Sequence, residues 1–126
     1  MATTAVSSVW IAKGVVRSAW STMVKTASIG DPISAPNLPD KTVQVRKSTA
    51  TNGFSGATIA IEGSNNTATG PYVTLNDSRG EGFPLTFTTT DIRTIMENPQ
   101  FIRPRYTAAT GTPSLNIEII QQSGKR

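Results

Sequence analysis

The stretch ATIAIEGSNNTATGPYVTL, residues 57–75, decides the fold class of this 126-residue chain. Its first part alternates apolar and polar residues, with Ile59 and Ile61 on one face, and the alternation resumes after a loop of Gly, Asn and Thr. A period of two residues is typical of a half-buried β-strand. No carboxylate stands between Glu62 and Asp77, and calcium sites usually include carboxylate ligands. The stretch therefore predicts two strands joined by a hairpin tip, rather than a cation site.

The same signals, short alternating runs bounded by turn residues, recur along the chain. The Asn-Gly pair in TNGFSG (51–56) is a strong hairpin signal. Pro104 indicates that the strand around it lies at a sheet edge or contains a bulge. Regularly spaced short strands predict an all-β domain, either a β-sandwich or a barrel. The further strands are predicted at TVQVRK (42–47), LTFT (85–88), QFIRPRY (100–106) and LNIEII (115–120).

One segment, TTTDIRTIMENP (88–99), changes period. Ile92, Ile95 and Met96 stand at i, i+3 and i+4, which is the spacing of one helix face. Thr89 or Thr90 can cap a helix, and the Asn98-Pro99 pair would end it. The pattern predicts one short helix over about residues 90–98.

The chain is predicted to divide at residue 41. Residues 28–41 contain three prolines, and proline lacks the backbone donor that regular structure requires, so this segment is predicted to be an extended linker. We expect residues 1–41 to form an N-terminal arm or hairpin with this Pro-rich linker, and residues 42–126 to form the β-sandwich.

The N-terminal segment itself is predicted to be extended. A helix there would place Lys13 and Arg17 on its buried stripe, whereas the many β-branched residues favour strands. We predict one strand over VWIAKGVV (9–16) and a second over WSTMVKT (20–26).

The chain contains neither cysteine nor histidine. This excludes disulfides, thiolate metal sites, histidine-bearing zinc sites and Ser-His-Asp triads. Lysine, tyrosine and scattered carboxylates remain as the groups available for catalysis. We therefore expect a protein that is not an enzyme and that needs no cofactor or metal.

The net charge of +4 lies entirely in the first part of the chain. Residues 1–50 hold six basic and two acidic side chains, and residues 51–126 hold six of each. Such an asymmetry either marks a contact with an acidic partner or is simply a solvated basic face. No apolar run approaches the roughly 20 residues of a membrane span, and the N-terminus does not read as a secretory signal. We expect synthesis in the cytoplasm and no membrane association.

Two sets of short motifs carry a resemblance to known families. I-E-G-S-N-N (61–66) followed by Y-V-T-L (72–75) resembles a recurring element of jelly-roll domains, as in galactose-binding-like and discoidin-type sandwiches. The runs L-T-F-T-T-T-D-I, M-E-N-P, F-I-R-P and T-G-T-P-S-L-N-I resemble small β-sandwich structural proteins of tailed-bacteriophage virions. The resemblance covers about residues 57–120 and implies a jelly-roll-like β-sandwich. Asn66 departs from it, because that loop position often carries Asp.

The resemblance to phage proteins implies a capsid decoration (cement) protein. Such a protein would bind the major capsid protein on the outer surface of the virion head, as a homotrimer. A tail or neck component is the nearest alternative. A carbohydrate-binding β-sandwich module is the alternative of another class, with Tyr72, Asn65 and Asn66 as its candidate residues. Nucleic acid is not an expected partner, because the charge is modest and no RNA-binding motif is present.

Partner contacts are predicted at tryptophan and basic residues, because Trp and Arg are enriched at interfaces. The tryptophans could instead fill the core, and the arginines around Pro104 could instead guard a solvated strand edge. The candidate interface residues are Trp10, Lys13, Arg17, Trp20, Lys25, Arg103 and Arg105.

Overall fold

A computed structural model describes residues 3–24, 28–34, 37–47, 54, 56–108 and 114–123. These residues form two β-sheets, and within the described ranges there is no helix. The all-β class and the two-sheet architecture are confirmed. It follows that no helix of membrane-spanning length occurs in this part of the chain. The strands are β1 (Thr3–Thr4), β2 (Ser7–Ala12), β3 (Val15–Met23), β4 (Ile29–Gly30), β5 (Asp40–Lys47), β6 (Ala57–Ser64), β7 (Val73–Thr74), β8 (Thr86–Phe87), β9 (Asp91–Ile95), β10 (Phe101–Ala108) and β11 (Leu115–Gln122).

The strand order joins distant parts of the sequence. One sheet has the order β1-β4-β10-β6-β7, with β8 also paired to β6. The other sheet has the order β2-β3-β11-β5-β9, so the last strand of the chain lies between β3 and β5. The segment 1–41 therefore contributes strands to both sheets, through β1 and β4 in the first and β2 and β3 in the second.

The core lies between the two sheets and is built from alternating residues. In β11, every second residue is buried while its neighbours are only partly covered. The same alternation appears in β5 and in the first part of β6. This is the pattern that the sequence predicted for these strands. The central buried side chains include Val43, Val45, Ile59, Ile61, Phe87, Ile102, Leu115, Ile117 and Ile119.

The stretch 57–75 forms the predicted hairpin. Strands β6 and β7 pair antiparallel, with Glu62 opposite Thr74 and Gly63 opposite Val73. An isolated bridge between Thr67 and Gly70 closes the loop between them.

The helix predicted over about residues 90–98 is wrong. Strand β9 pairs antiparallel with β5 instead, with Gln44 opposite Ile92. Ile95 is buried, whereas Ile92 is 61% and Met96 is 53% exposed. A helix that packs on its apolar face would bury all three side chains together. Instead, the edge of β5 provides hydrogen-bonding partners for this segment, and the spacing of residues within the segment cannot predict a pairing with a distant strand.

The N-terminal strands also differ from prediction. The predicted strand over residues 9–16 is divided by a turn at Lys13 and Gly14, where Gly14 has φ +71°. Such a left-handed backbone favours glycine. Strands β2 and β3 thus form a hairpin whose second strand pairs with β11.

Pro104 lies in an interior strand, contrary to the predicted edge or bulge. Strand β10 pairs with β6 along its whole length and meets β4 at Arg105. On the β4 side, Ile102 and Tyr106 donate backbone hydrogen bonds to Ile33 and Ser28. By alternation, the nitrogen of Pro104 faces the interval between these two bonds, where no donor is required.

Gly30 allows β4 to pack closely against Pro104. A β-carbon added at Gly30 would lie 2.6 Å from Cγ of Pro104 and 2.7 Å from Cδ1 of Trp20. Both distances are shorter than carbon atoms tolerate, so only glycine fits between the two rings.

Candidate interaction surface

Strand β2 is the most exposed apolar element in the described part of the chain. All six of its residues are exposed, and it lies at the end of the five-stranded sheet with only β3 beside it. Val9, Trp10 and Ile11 are 52%, 65% and 55% exposed. The strand SSVWIA contains no charge and no proline. It therefore lacks the charges and prolines that usually keep an edge strand from pairing with another chain.

The two faces of β2 differ. Trp10 lies opposite Val16 and Ser8 opposite Ser18, and both partners are buried residues on the inner face of the sheet. Val9 lies opposite Arg17, whose side chain is on the outer face. The pairing shifts between Trp10 and Ala12, so Ile11 is the extra residue of a bulge.

The predicted basic contacts near β2 have different environments. Lys13 is exposed in the β2–β3 turn. Arg17 is held in an ion pair with Glu118, which also lies 3.5 Å from the Arg46 side chain. Lys25 lies outside the described residues.

Trp20 belongs to the core. Its side chain is 0% exposed and its Nε1 donates a 2.9 Å hydrogen bond to the Asp31 carbonyl. The predicted interface role is therefore incompatible with its position, because the surrounding sheets cover the indole. Of the two tryptophans, Trp10 alone is available at the surface.

Arg103 and Arg105 lie on the other sheet, away from β2. Their Nε atoms donate to the two carboxylate oxygens of Glu62, at 3.1 and 2.8 Å. The Arg103 guanidinium also stacks 3.8 Å from the ring centre of Tyr72. One N–H donor of each arginine is thus engaged within the protein.

The same stacking bears on the carbohydrate candidates in the β6–β7 loop. One face of the Tyr72 ring is covered by Arg103, and its hydroxyl donates to the Ala68 carbonyl. Asn65 Oδ1 accepts the backbone N–H of Gln100. These groups therefore support the loop and offer little to a sugar. Among the described residues, no three acidic side chains cluster as a metal site.

The opposite edge of the five-stranded sheet is charged, and another segment covers one end of it. Arg93 in β9 pairs with Asp91 at 3.0 Å and lies 4.0 Å from Asp77. Asp77 also forms an isolated bridge with Ile95. Hydrogen bonds from Arg79 to its carboxylate lower the pKa of Asp77 below the ordinary value of 3.8.

Comparisons with known proteins show the fold alone. No protein-family model and no curated protein matches the sequence. The structure is similar to that of the SPBc2 prophage-derived protein YomS, with TM-score 0.51 and 12% identity over 89% of this chain and 98% of that one. It also matches BH2720 from Bacillus halodurans, with TM-score 0.47 and 10% identity over 96% and 72% of the two chains. A third match is the K3 adhesin domain of Lys-gingipain from Porphyromonas gingivalis, with TM-score 0.45 and 10% identity over 85% and 74%.

Proposed function

We propose that this protein is a non-enzymatic structural protein of a bacteriophage virion. More specifically, it would be a decoration (cement) protein that binds the major capsid protein on the outer head surface. The observation that carries this proposal is strand β2, an uncharged edge with three consecutive exposed apolar side chains. The fold shared with a prophage-derived protein is consistent with a phage origin.

The mechanism is attachment through the edge of a sheet. An edge strand presents unpaired backbone groups, and a partner strand can add to it while apolar side chains supply the burial. Val9 and Ile11 would provide that burial. One strand gives a modest contact, but a shell that repeats the contact many times multiplies its effect. A homotrimer would increase the valency of each attachment further.

The proposal is tested with purified protein and head shells that lack it. We expect the protein to sediment with expanded shells and to raise the temperature at which they disrupt. Light scattering on the free protein would measure the predicted trimer. Recovery with tails or necks and not with heads would instead favour the alternative placement. Absence of the protein from every virion fraction would contradict the whole proposal.

A further inference from the structure

A groove opens where the two sheets diverge at the β2 edge. Its volume is about 670 Å³. One wall is the inner face of β2, β3 and β11, and the other wall comes from the segment around Ile33 and from Gln100. The volume falls within the roughly 300–1,000 Å³ of small-molecule sites.

The chemistry of the walls is neutral. None of the described residues that line the groove is charged. Its polar groups are hydroxyls and amides, and Trp10 provides an exposed aromatic face. Such a surface suits an uncharged ligand with many hydroxyls and an apolar face. The polar lining residues are Ser8, Ser18, Ser34, Asn37, Gln100 and Gln121.

Gln121 provides an independent sign of a ligand. The residue is 1% exposed and lines the groove. Its Nε2 has no hydrogen-bond acceptor among the described residues. A buried amide donor without a partner is costly, and a hydroxyl oxygen of a ligand in the groove would satisfy it.

The walls are held in place by hydrogen bonds. The hydroxyls of Ser8 and Ser18 lie 2.8 Å apart, and Gln100 Nε2 donates to Ser34 Oγ at 2.9 Å. Ile33 exchanges two backbone hydrogen bonds with Ile102 behind the groove. The site is therefore preformed, which reduces the ordering cost of binding.

We propose that this groove binds a neutral saccharide. One pyranose ring stacks its C–H face on Trp10, and its hydroxyls bond to the serine and amide groups, including Gln121 Nε2. The site uses Trp10 on the inner face of β2, whereas the proposed shell contact uses Val9 on the outer face together with Ile11 at the bulge. The two functions can therefore fail separately.

The first experiment uses the fluorescence of the intact protein. Trp20 is buried, so acrylamide quenching reports mainly on Trp10. The probes are oligosaccharides of glucose, galactose, mannose and N-acetylhexosamines, with sialylated and sulfated oligosaccharides as the charged comparison. We expect a neutral oligosaccharide to protect Trp10 from acrylamide, and we expect added charge to bring no gain. Failure of every neutral probe at millimolar concentration would overturn the proposal.

The second experiment uses variants and calorimetry. Trp10→Ala should weaken saccharide binding by about tenfold or more, because a central aromatic contact is lost. Val9→Ala is the matched control, since Val9 is the adjacent exposed residue on the opposite face, and it should bind as the parent does. Gln121→Leu should also weaken binding while the fold is checked by circular dichroism. Equal affinity for the parent and Trp10→Ala would overturn the assignment.

Discussion

The two edges of the five-stranded sheet are built in opposite ways. Strand β9 carries Asp91 and Arg93, and the Asp77 segment bridges to its end at Ile95. Strand β2 carries no charge, and no described strand covers it. The same sheet thus has a guarded edge, β9, whose charges hinder pairing with another chain, and an open edge, β2, which has no such charges. Because an apolar edge without charges or prolines favours association, the difference supports the proposal that β2 is the edge used for contact.

The largest expected effect concerns the support behind β2. Gly30→Ala would push a methyl group against Pro104 and Trp20, at 2.6 and 2.7 Å. Trp20 is in β3, the only described strand that pairs with β2, so the substitution should also weaken the packing that supports β2. We expect the free energy of unfolding to fall by about 3 kcal/mol, as for severe overpacking. Urea denaturation would measure it.

Gly80→Ala is the control for that substitution. Gly80 has φ +103° but nothing within 4 Å of an added β-carbon. Its cost should be backbone strain alone, about 1 kcal/mol. Equal losses at the two glycines would show that the close approach at Gly30 does not restrain β3.

The second prediction tests the comparison directly. Ile11→Lys places a charge on the open edge, and Ile92→Lys places the same charge on the guarded edge. The two isoleucines are similarly exposed, at 55% and 61%. We expect Ile11→Lys to weaken shell binding about a hundredfold, which corresponds to about 2.7 kcal/mol, because a buried unpaired charge is costly. Ile92→Lys should leave binding unchanged, and a co-sedimentation titration would measure both.

Thermal unfolding should stay within a few degrees of the parent for both lysine variants, since neither side chain is in the core. Loss of shell binding in Ile92→Lys with retention in Ile11→Lys would reverse the assignment of the two edges.

The sequence predicted the interior of the sheets better than their edges. Alternation in 42–47, 57–63 and 115–120 identified three central strands, because residues buried on one face leave a period of two. The spacing of Ile92, Ile95 and Met96 gave the wrong prediction of a helix, because three residues are too few to distinguish a helix from an edge strand. Only the distant partner β5 decides between them, and pairing across the chain leaves no local trace.

The surface was predicted only in part for a similar reason. Trp10 and Trp20 have alike neighbours in the sequence, yet one is exposed and the other buried. Their burial differs because Trp20 packs against Gly30 of β4, which also contacts Pro104 of β10. The groove beside Gln121 likewise combines residues from β2, β3, β11 and the Pro-rich segment. No spacing rule joins residues so far apart.

The third prediction concerns the charges at the guarded edge. In the folded protein the pKa of Asp77 lies below 3.8 because Arg79 donates to its carboxylate. The unfolded chain therefore binds more protons in acid, so the stabilisation is present above about pH 4 and is lost as the pH falls through the lowered pKa. We expect Asp77→Asn to flatten the acid limb of the melting temperature between about pH 2 and 5.

Asp91→Asn is the matched control for the acid limb. Its carboxylate is about half exposed and accepts from Arg93. It should leave most of the pH dependence in place. If the melting temperature of Asp77→Asn fell in acid as steeply as that of the parent, the ion pairs of Asp77 beside β9 would not contribute to stability.

The smallest expected effect comes from Lys41 in β5, whose side chain contacts Asn98 just after the end of β9. Its ammonium is buried and donates to the Leu38 carbonyl at 2.9 Å and to Asn98. Burial lowers its pKa below 10.5, and Asp40 opposes part of that shift. Because the unfolded chain then binds more protons, stability should rise as the pH climbs from the lowered pKa towards 10.5.

Lys41→Met should remove that rise while changing the unfolding free energy at neutral pH by only about 1 kcal/mol, since the lost hydrogen bonds are offset by the lost desolvation cost. The comparison belongs below about pH 10, because burial raises the pKa of Tyr72 and Tyr106 and their ionisation in the unfolded chain opposes the trend above it. Urea titrations between about pH 8 and 10 would measure the slope. If the unfolding free energy still rises with pH in Lys41→Met, a group other than Lys41 causes the rise. The β9 edge would then be stabilised by its surface ion pairs and not by the buried Lys41 ammonium.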